Sequence, residues 1–235
     1  MVAKKSDASP NSLAADLIAD LQSIEDVFIN EDIKVIPTGI DLFDSILGGG
    51  IPIGKMLLFV GAPGGGKSTL VGMCGAGLHK YDPRSFFIYL DAEQSMPMSR
   101  LVSLGVDPER TILLSQPLTV EKMMEILKKI IEFKITKKLE DVPFFVAWDS
   151  ETATPPAKQL ESDDPAKTMG YKARLLSYIM PKIINACTKF NITFLAIGQL
   201  KDKIDLNPYA PSGGDLKGLG DKTITGGNSM KYTPF

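Results

Sequence analysis

Short apolar runs alternate with longer amphipathic segments along most of the chain after Lys55. Each run is continuously apolar, which is typical of strands that are buried on both faces of a parallel sheet. The runs lie at 56–60, 86–91, 111–115, 144–149 and 192–199. Segments with the apolar spacing of a helix lie between them, at 67–80, 96–105, 120–138 and 168–189. The pattern predicts an α/β fold in which helices flank a mostly parallel, twisted sheet, with chemistry at the carboxyl ends of the strands.

The residues before this alternating region form a separate segment. Leu13, Leu17 and Leu21 recur at helical spacing, which predicts a short amphipathic helix. We therefore divide the chain into an N-terminal tail and helix at 1–35 and a core domain at 36–235.

Two stretches of the core, 150–167 and 200–228, do not fit the alternation of strands and helices. Loops of this length in a compact domain are uncommon and are usually either functional or disordered.

Composition narrows the class of protein. Among 235 residues, 44% are hydrophobic and 23% are charged, which is typical of a packed globular protein. The net charge of −2 means that a nucleic-acid partner would have to be held by a local patch. Cys74 and Cys187 lie in apolar, helix-like segments and give no disulfide framework, which favours a cytoplasmic setting. We expect neither an export signal nor a membrane span, because no apolar run is long enough.

A phosphate-binding motif follows the first core strand directly. The residues are Gly61, Ala62, Pro63, Gly64, Gly65, Gly66, Lys67 and Ser68, and they match the pattern G-x-x-x-x-G-K-[ST] at the start of a predicted helix. In such a loop the backbone N–H groups surround phosphate oxygens, the lysine reaches the β and γ phosphates, and the hydroxyl binds Mg²⁺. The motif predicts ATP and Mg²⁺ as cofactors. The alternative, a glycine-rich turn that binds nothing, is much less favoured in this context.

Three polar residues follow other predicted strands, where ligands bind in open α/β sheets. Asp149 ends its strand and could hold Mg²⁺ or its water shell. Glu93 could position or deprotonate an attacking water, and the amide of Gln199 could hydrogen-bond the γ-phosphate. Taken alone, Asp149 could instead cap the next turn, which is the less favoured alternative, and Glu93 could be a surface acid.

Together these residues resemble the RecA recombinase family. The resemblance extends from about Ile36 to Tyr232, through PTGIDLFDSILGGGIPIGK, DAEQ, LGVD, SQP, VAWDS, IGQL and TGGNSMKY in family order. The last block is more specific than the phosphate loop, which many ATPases share. The pattern AKTM and the long second loop are similar to phage recombinases of the UvsX type.

The resemblance implies a role for each matching residue. Lys67, Ser68 and Thr69 would bind the phosphates and Mg²⁺, and Asp149 would be the Walker B acid. Glu93 would activate the hydrolytic water, Lys67 would assist catalysis, and Gln199 would be the allosteric switch. Arg100 stands where the family often stacks a tyrosine on the adenine, and Pro97 stands where it has an acid, so the base contact differs here.

The resemblance also implies partners. Segments 153–167 and 200–224 would be DNA-binding loops that hold single-stranded DNA and promote its pairing with a duplex in a helical filament. The N-terminal helix would pack on the neighbouring subunit, although its pattern alone fits an intramolecular cap equally well. Since Phe235 ends the chain where the family continues, we expect a C-terminally shortened recombinase core.

The sequence therefore favours a DNA-dependent ATPase of the recombinase type. A hexameric helicase or a KaiC/RadA-like ATPase is an alternative that shares the phosphate loop. A non-catalytic, shortened recombinase that binds ATP and caps the filaments of a full-length partner is a second alternative.

Overall fold

A computed structural model describes residues 10–24, 33–161, 170–202, 222–224 and 230. Contacts divide the chain into two units, 1–34 and 35–235. In the first unit, helix α1 (Pro10–Gln22) confirms the predicted amphipathic helix. Leu13, Leu17 and Leu21 are exposed on it, and their role in self-association stays a prediction.

The second unit is an α/β domain in which strands and helices alternate. Its strands are β1 (Val35–Ile36), β2 (Ile51–Pro52), β3 (Met56–Gly61), β4 (Phe86–Asp91), β5 (Thr111–Ser115), β6 (Phe144–Asp149), β7 (Ile192–Asp202) and β8 (Lys222–Ile224). Its helices are α2 (Asp41–Ile46), α3 (Lys67–Tyr81), α4 (Met98–Ser103), α5 (Val120–Lys137), α6 (Ala157–Glu161) and α7 (Tyr171–Lys189), with a 3₁₀ turn at Pro108–Arg110. All five predicted strands are confirmed.

Five of these strands form a parallel sheet in the order β3-β7-β6-β4-β5, and β8 pairs with β7 antiparallel. Strands β1 and β2 form a separate antiparallel pair. The predicted α/β fold with helices flanking a parallel sheet is therefore confirmed. No helix of the described residues is long and apolar enough to cross a membrane.

The core lies on both faces of the sheet, which explains why the strands are continuously apolar. In β6, Val146 and Trp148 pack into the cluster that contains α5 and α7 residues. Phe145 and Ala147 alternate with them and pack into the opposite cluster, on the side of α3. Both predicted core cysteines are buried and free, as their apolar contexts indicated.

Helix α3 approaches its neighbours so closely that side chains are excluded from part of its surface. A Cβ atom on Gly77 would lie 2.3 Å from the backbone oxygen of Pro37, and one on Gly75 would lie 2.5 Å from the ring of Phe87. Neither distance is compatible with a side chain, so glycine is needed at both positions. This close packing fixes the helix that begins at the phosphate loop.

The stretches predicted as irregular are partly regular. Within 150–167, residues Ala157–Glu161 form α6, and 162–169 lie outside the described residues. Residues 200–202 continue β7 and pair with 222–224, whereas 203–221 lie outside the described residues. The prediction of irregular structure was therefore wrong for α6 and for the paired residues of β7 and β8. For the strands the reason is that composition does not reveal pairing between segments that are distant in sequence.

Candidate functional site: a phosphate-binding pocket at the strand ends

The strand register brings the predicted site residues to one edge of the sheet. Asp91 at the end of β4 pairs with Asp149 at the end of β6, and Gly61 at the end of β3 pairs with Gln199 in β7. Since all of these strands are parallel, their carboxyl ends open on the same side. The site is therefore built where the sequence predicted chemistry.

The phosphate loop adopts a conformation that requires glycine. Gly64 and Gly66 have φ angles of 74° and 79°, in the left-handed region. Gly66 directly precedes α3, so the loop ends at a helix N-terminus with free N–H groups. Lys67 folds over the loop, where its Nζ donates hydrogen bonds to the carbonyl oxygens of Gly61 and Ala62 at 3.1 and 2.9 Å.

Asp149 is the most buried acid of the phosphate-binding pocket, with 2% of its surface exposed. Its Oδ2 accepts hydrogen bonds from the Ser68 hydroxyl at 2.6 Å and from the Tyr89 hydroxyl at 2.5 Å. Burial raises the pKa of Asp149, the nearby Glu93 and Asp91 carboxylates raise it further, and the two hydrogen bonds oppose this shift. Burial and the Asp149 charge also raise the pKa of Tyr89, so its phenol stays protonated as a donor.

This pair of oxygen ligands fits Mg²⁺. Magnesium in nucleotide sites is usually bound by one or two protein oxygens together with substrate phosphates. Ser68 supplies a hydroxyl and Asp149 supplies a carboxylate. The two groups are adjacent, because the hydroxyl donates a hydrogen bond to the carboxylate. Burial is the main reason that the pKa of Asp149 is raised, and the neighbouring Glu93 and Asp91 carboxylates add to it, so a divalent cation at this position would favour the ionised carboxylate.

Glu93 and Gln199 lie together at the same edge. Oε1 of Glu93 accepts a hydrogen bond from Nε2 of Gln199 at 3.2 Å. The Ser150 hydroxyl donates a second, short hydrogen bond to the same oxygen. The candidate base and the candidate phosphate sensor are thus in direct contact, although they are separated widely in sequence.

Arg100 closes another side of the pocket. From α4 its guanidinium donates a hydrogen bond to the Thr69 hydroxyl at 2.9 Å. The cavity has a volume of about 310 Å³, and its lining is Pro63, Gly64, Gly65, Gly66, Lys67, Ser68, Thr69, Glu93, Arg100, Asp149, Ile197 and Gln199. All the residues that the sequence assigned to nucleotide binding or catalysis line this one cavity, except Gly61 and Ala62 at the start of the loop.

Sequence reasoning missed three residues that support the site. Tyr89 and Ser150 hold the two acids, as described above. Asp91 organises the turn that carries Glu93, since its carboxylate accepts hydrogen bonds from the N–H groups of Ser95 at 3.2 Å and Met96 at 3.0 Å. The available signal was a polar group within an apolar run, for Tyr89 and Asp91, or directly after one, for Ser150. The sequence did not reveal their partners, because these depend on how the strands pair and how the loops pack.

The fold and the pocket define a P-loop nucleotide-binding protein: a parallel sheet, a glycine-rich loop at a helix N-terminus, and a buried acid on an adjacent strand. Comparison with known proteins identifies the family. Residues 20–233 match the RecA N-terminal domain family. The chain therefore belongs to the RecA family, as its sequence blocks indicated.

Individual relatives give the extent of the similarity. The chain is 33% identical over 203 residues to a protein RecA of Syntrophus aciditrophicus, covering 86% of this chain and 53% of the relative. It is 32% identical over 204 residues to one of Streptomyces coelicolor, covering 86% and 49%, and 30% identical over 200 residues to one of Arthrospira platensis, covering 85% and 49%. The chain thus spans about half the length of the curated relatives that it matches. The resemblance to UvsX-type phage recombinases stays a prediction.

Proposed function

We propose that the chain is a DNA-dependent ATPase of the recombinase type. The observation that carries the proposal is the convergence of Lys67, Asp149 and Glu93 on a single cavity. These are a cation for phosphate, an acid for Mg²⁺ and a carboxylate for water, which are the parts that ATP hydrolysis at a P-loop requires. Family membership supports the same activity.

Binding would use the loop and its helix. The N–H groups of the loop and of the first turn of α3 would surround the β-phosphate, while Lys67 would exchange its bonds to Gly61 and Ala62 for bonds to phosphate oxygens. Ser68 and Asp149 would hold Mg²⁺, which supplies neutralisation of phosphate charge when it is bound. Arg100 lies at the same pocket and would contact the nucleotide from α4.

Hydrolysis would use the carboxylate on the opposite side of the cavity. Glu93 would orient a water and accept its proton as the water oxygen attacks the γ-phosphorus, while the bond from the γ-phosphorus to the bridging oxygen breaks and ADP leaves with that oxygen. Gln199 contacts Glu93 and lies on β7, the strand that continues to residue 202 at the start of the proposed second DNA-binding loop. A change at the γ-phosphate would therefore reach that loop along a single strand.

The finer proposals concern partners. Segments 153–167 and 200–224 would contact single-stranded and double-stranded DNA, and self-association through α1 would present these loops repeatedly along a filament. Repetition matters because the net charge of the chain is −2, so each subunit attracts phosphate weakly and many contacts must add together. We propose homologous pairing and strand exchange as the reaction and the cytoplasm as the setting.

The test is ATP turnover with and without single-stranded DNA. We expect turnover that rises when DNA is added, and retention of DNA in the presence of a non-hydrolysable ATP analogue. Lys67→Ala should abolish nucleotide binding, because it removes the cation that contacts the β and γ phosphates. Lys129→Ala is the matched control, since Lys129 is an exposed lysine paired with Glu132 on α5.

Two outcomes would contradict the proposal. Nucleotide binding without turnover would favour a non-catalytic protein that binds ATP. Turnover that DNA leaves unchanged, together with closed rings in negative-stain images, would favour a KaiC/RadA-like or helicase-type ATPase.

A further inference from the structure

Glu93 is held by two donors on a single oxygen. Gln199 and Ser150 both donate to Oε1, and within the described part of the chain these are the hydrogen bonds that the carboxylate accepts. The two oxygens of a carboxylate are bonded to the same carbon at a fixed angle. Donors that hold one oxygen therefore also restrict the position of the second oxygen. The donors therefore set the direction in which Oε2 can receive a proton.

Ser150 is the better fixed of the two donors. It is fully buried, whereas Gln199 is partly exposed at the mouth of the pocket. The N–H of Ala153 donates to the Ser150 Oγ at 3.3 Å. A hydroxyl has one proton to donate, and an acceptor bond from Ala153 on one side favours directing that proton at Glu93 on the other.

The same serine is tied to the start of the first proposed DNA-binding loop. Its carbonyl oxygen accepts a hydrogen bond from the Thr154 hydroxyl at 2.9 Å. That hydroxyl in turn accepts a hydrogen bond from Nε1 of Trp148 at 2.8 Å, and both residues are buried. A displacement of Thr154 would therefore be transmitted to Ser150, and through it to Glu93, by direct hydrogen bonds.

We infer that Ser150 is a positioning residue that orients Glu93 and couples it to the segment around Thr154. This inference rests on the proposed function, in which Glu93 activates the hydrolytic water. Nothing in the sequence pattern assigned Ser150 a role, since it follows the Walker B acid as an ordinary small residue. Hydrogen bonds of Ser150 connect Thr154, in the first proposed DNA-binding loop, with Glu93 in the pocket.

The first test compares Ser150→Ala with Ser85→Ala in the full chain. Ser85 is the matched control, because it is also fully buried and its hydroxyl donates a hydrogen bond to the carbonyl oxygen of Asp82 at 2.6 Å, beyond the end of α3 that is remote from the pocket. We expect Ser150→Ala to lower kcat for ATP about tenfold with KM changed by less than about twofold, since orientation is lost and binding is not. Ser85→Ala should leave both within about twofold.

A double-mutant cycle separates positioning from a general structural effect. Glu93→Gln alone should lower kcat about 100-fold, as expected for loss of a general base. In that background Ser150→Ala should have no further effect beyond about twofold, because Ser150 acts through Glu93. An equal reduction in both backgrounds would overturn the inference. Full activity of Glu93→Gln would instead overturn the proposed role of Glu93.

Trp148 gives a readout that does not depend on turnover. It is the only tryptophan of the chain, and its indole N–H is bonded to Thr154. We expect its emission to differ between ADP and a non-hydrolysable ATP analogue, and Ser150→Ala to remove that difference. A difference that persists in Ser150→Ala, or none in the unmodified chain, would refute the coupling. If turnover is absent altogether, the proposed function fails and this measurement alone decides the coupling.

A second variant covers the case in which Ser150→Ala does not fold, as judged by circular dichroism. Thr154→Val keeps the shape of the side chain and removes the hydroxyl that links Ser150 to Trp148. It should lower kcat about threefold without changing KM, because the serine loses its own support. Unchanged kcat in a folded Thr154→Val variant would contradict the inference.

Discussion

Replacing Lys172 by methionine should destabilise the protein, because it would leave the buried carboxylate of Glu151 without its cationic partner. Glu151 is fully buried just after β6, and Nζ of Lys172 lies 2.8 Å from its Oε1. The same ammonium donates to the carbonyl oxygen of Glu151 at 2.6 Å. Neither carboxylate oxygen accepts a well-aligned hydrogen bond from the described residues, so the ion pair with Lys172 is the main compensation for the buried charge.

The magnitude follows from the contact distance and the burial. At an effective dielectric constant of about 20, unit charges 2.8 Å apart attract by about 6 kcal/mol. Breaking a buried pair by removing one partner costs about 3–5 kcal/mol in measured cases. The Lys172 side chain is 23% exposed, so water can reach part of the space that it leaves. We therefore expect the lower end, about 3 kcal/mol of unfolding free energy.

The assay is denaturant unfolding followed by the fluorescence of Trp148, supported by thermal melting. For a chain of this size, about 3 kcal/mol corresponds to a fall in Tm of roughly 6–12 °C. Lys129→Met is the matched control: its lysine also lies 2.8 Å from a carboxylate, Glu132, but both side chains are largely exposed. That variant should change the unfolding free energy by less than about 1 kcal/mol.

A double variant tests the cause. Glu151→Gln combined with Lys172→Met should be more stable than Lys172→Met alone, because it no longer leaves a buried charge without its partner. If Lys172→Met were no more damaging than Lys129→Met, or if the double variant regained nothing, the reasoning from burial and distance would be refuted.

Three further perturbations test the packing and the buried titratable groups. Gly77→Ala should lower the unfolding free energy by about 2–3 kcal/mol despite the better helix propensity of alanine, because the added Cβ would overlap the backbone oxygen of Pro37. Gly72→Ala, whose Cβ would contact the side chain of Leu104, should lower the unfolding free energy by less in the same thermal melts. Burial and, secondarily, the charge of Arg110 lower the pKa of His79 below its ordinary 6.5. The unfolded chain then binds the proton more readily, so stability should fall as the pH drops below about 6.5, and His79→Gln should reduce that fall in pH-dependent unfolding. Burial lowers the pKa of Lys134 to about 8 from 10.5, so stability should rise with pH across that window and Lys134→Met should remove the rise; a flat profile in the unmodified chain would contradict the two pH predictions.

The fold was predictable because the strands are buried on both faces. A run such as FFVAWD has no polar position before the aspartate that ends it, and helical segments long enough for crossovers lie between the runs. The candidate phosphate site was predictable for a related reason: its loop is local in sequence, and parallel strands bring their ends together. Lys67, Asp149 and Glu93 accordingly line one cavity.

The supporting contacts were not predictable in the same way. Tyr89 reads as a core aromatic, and only the pairing of β4 with β6 reveals that its hydroxyl reaches Asp149. His79 lies in the last turn of α3, where sequence alone suggests a helix-capping residue, but it is buried and its Nδ1 accepts a hydrogen bond from the N–H of Asp107. In both cases a single side chain with few sequence neighbours depends on a partner brought close by tertiary packing.

The apolar character of both sheet faces also affects how the strands find their register. In a sheet with one wet face, a slip by one residue exposes apolar side chains, and that penalty fixes the pairing. Here a slip of β6 by one residue exchanges Val146 and Ala147 between two dry layers, which is a weaker penalty. The polar residues at the strand ends add a further penalty for a slip, because a slip would draw Asp149 into the apolar interior or separate it from Tyr89. Asp149 therefore also helps to set the register of β6, and we expect its replacement to weaken strand pairing in addition to any effect on the proposed nucleotide chemistry.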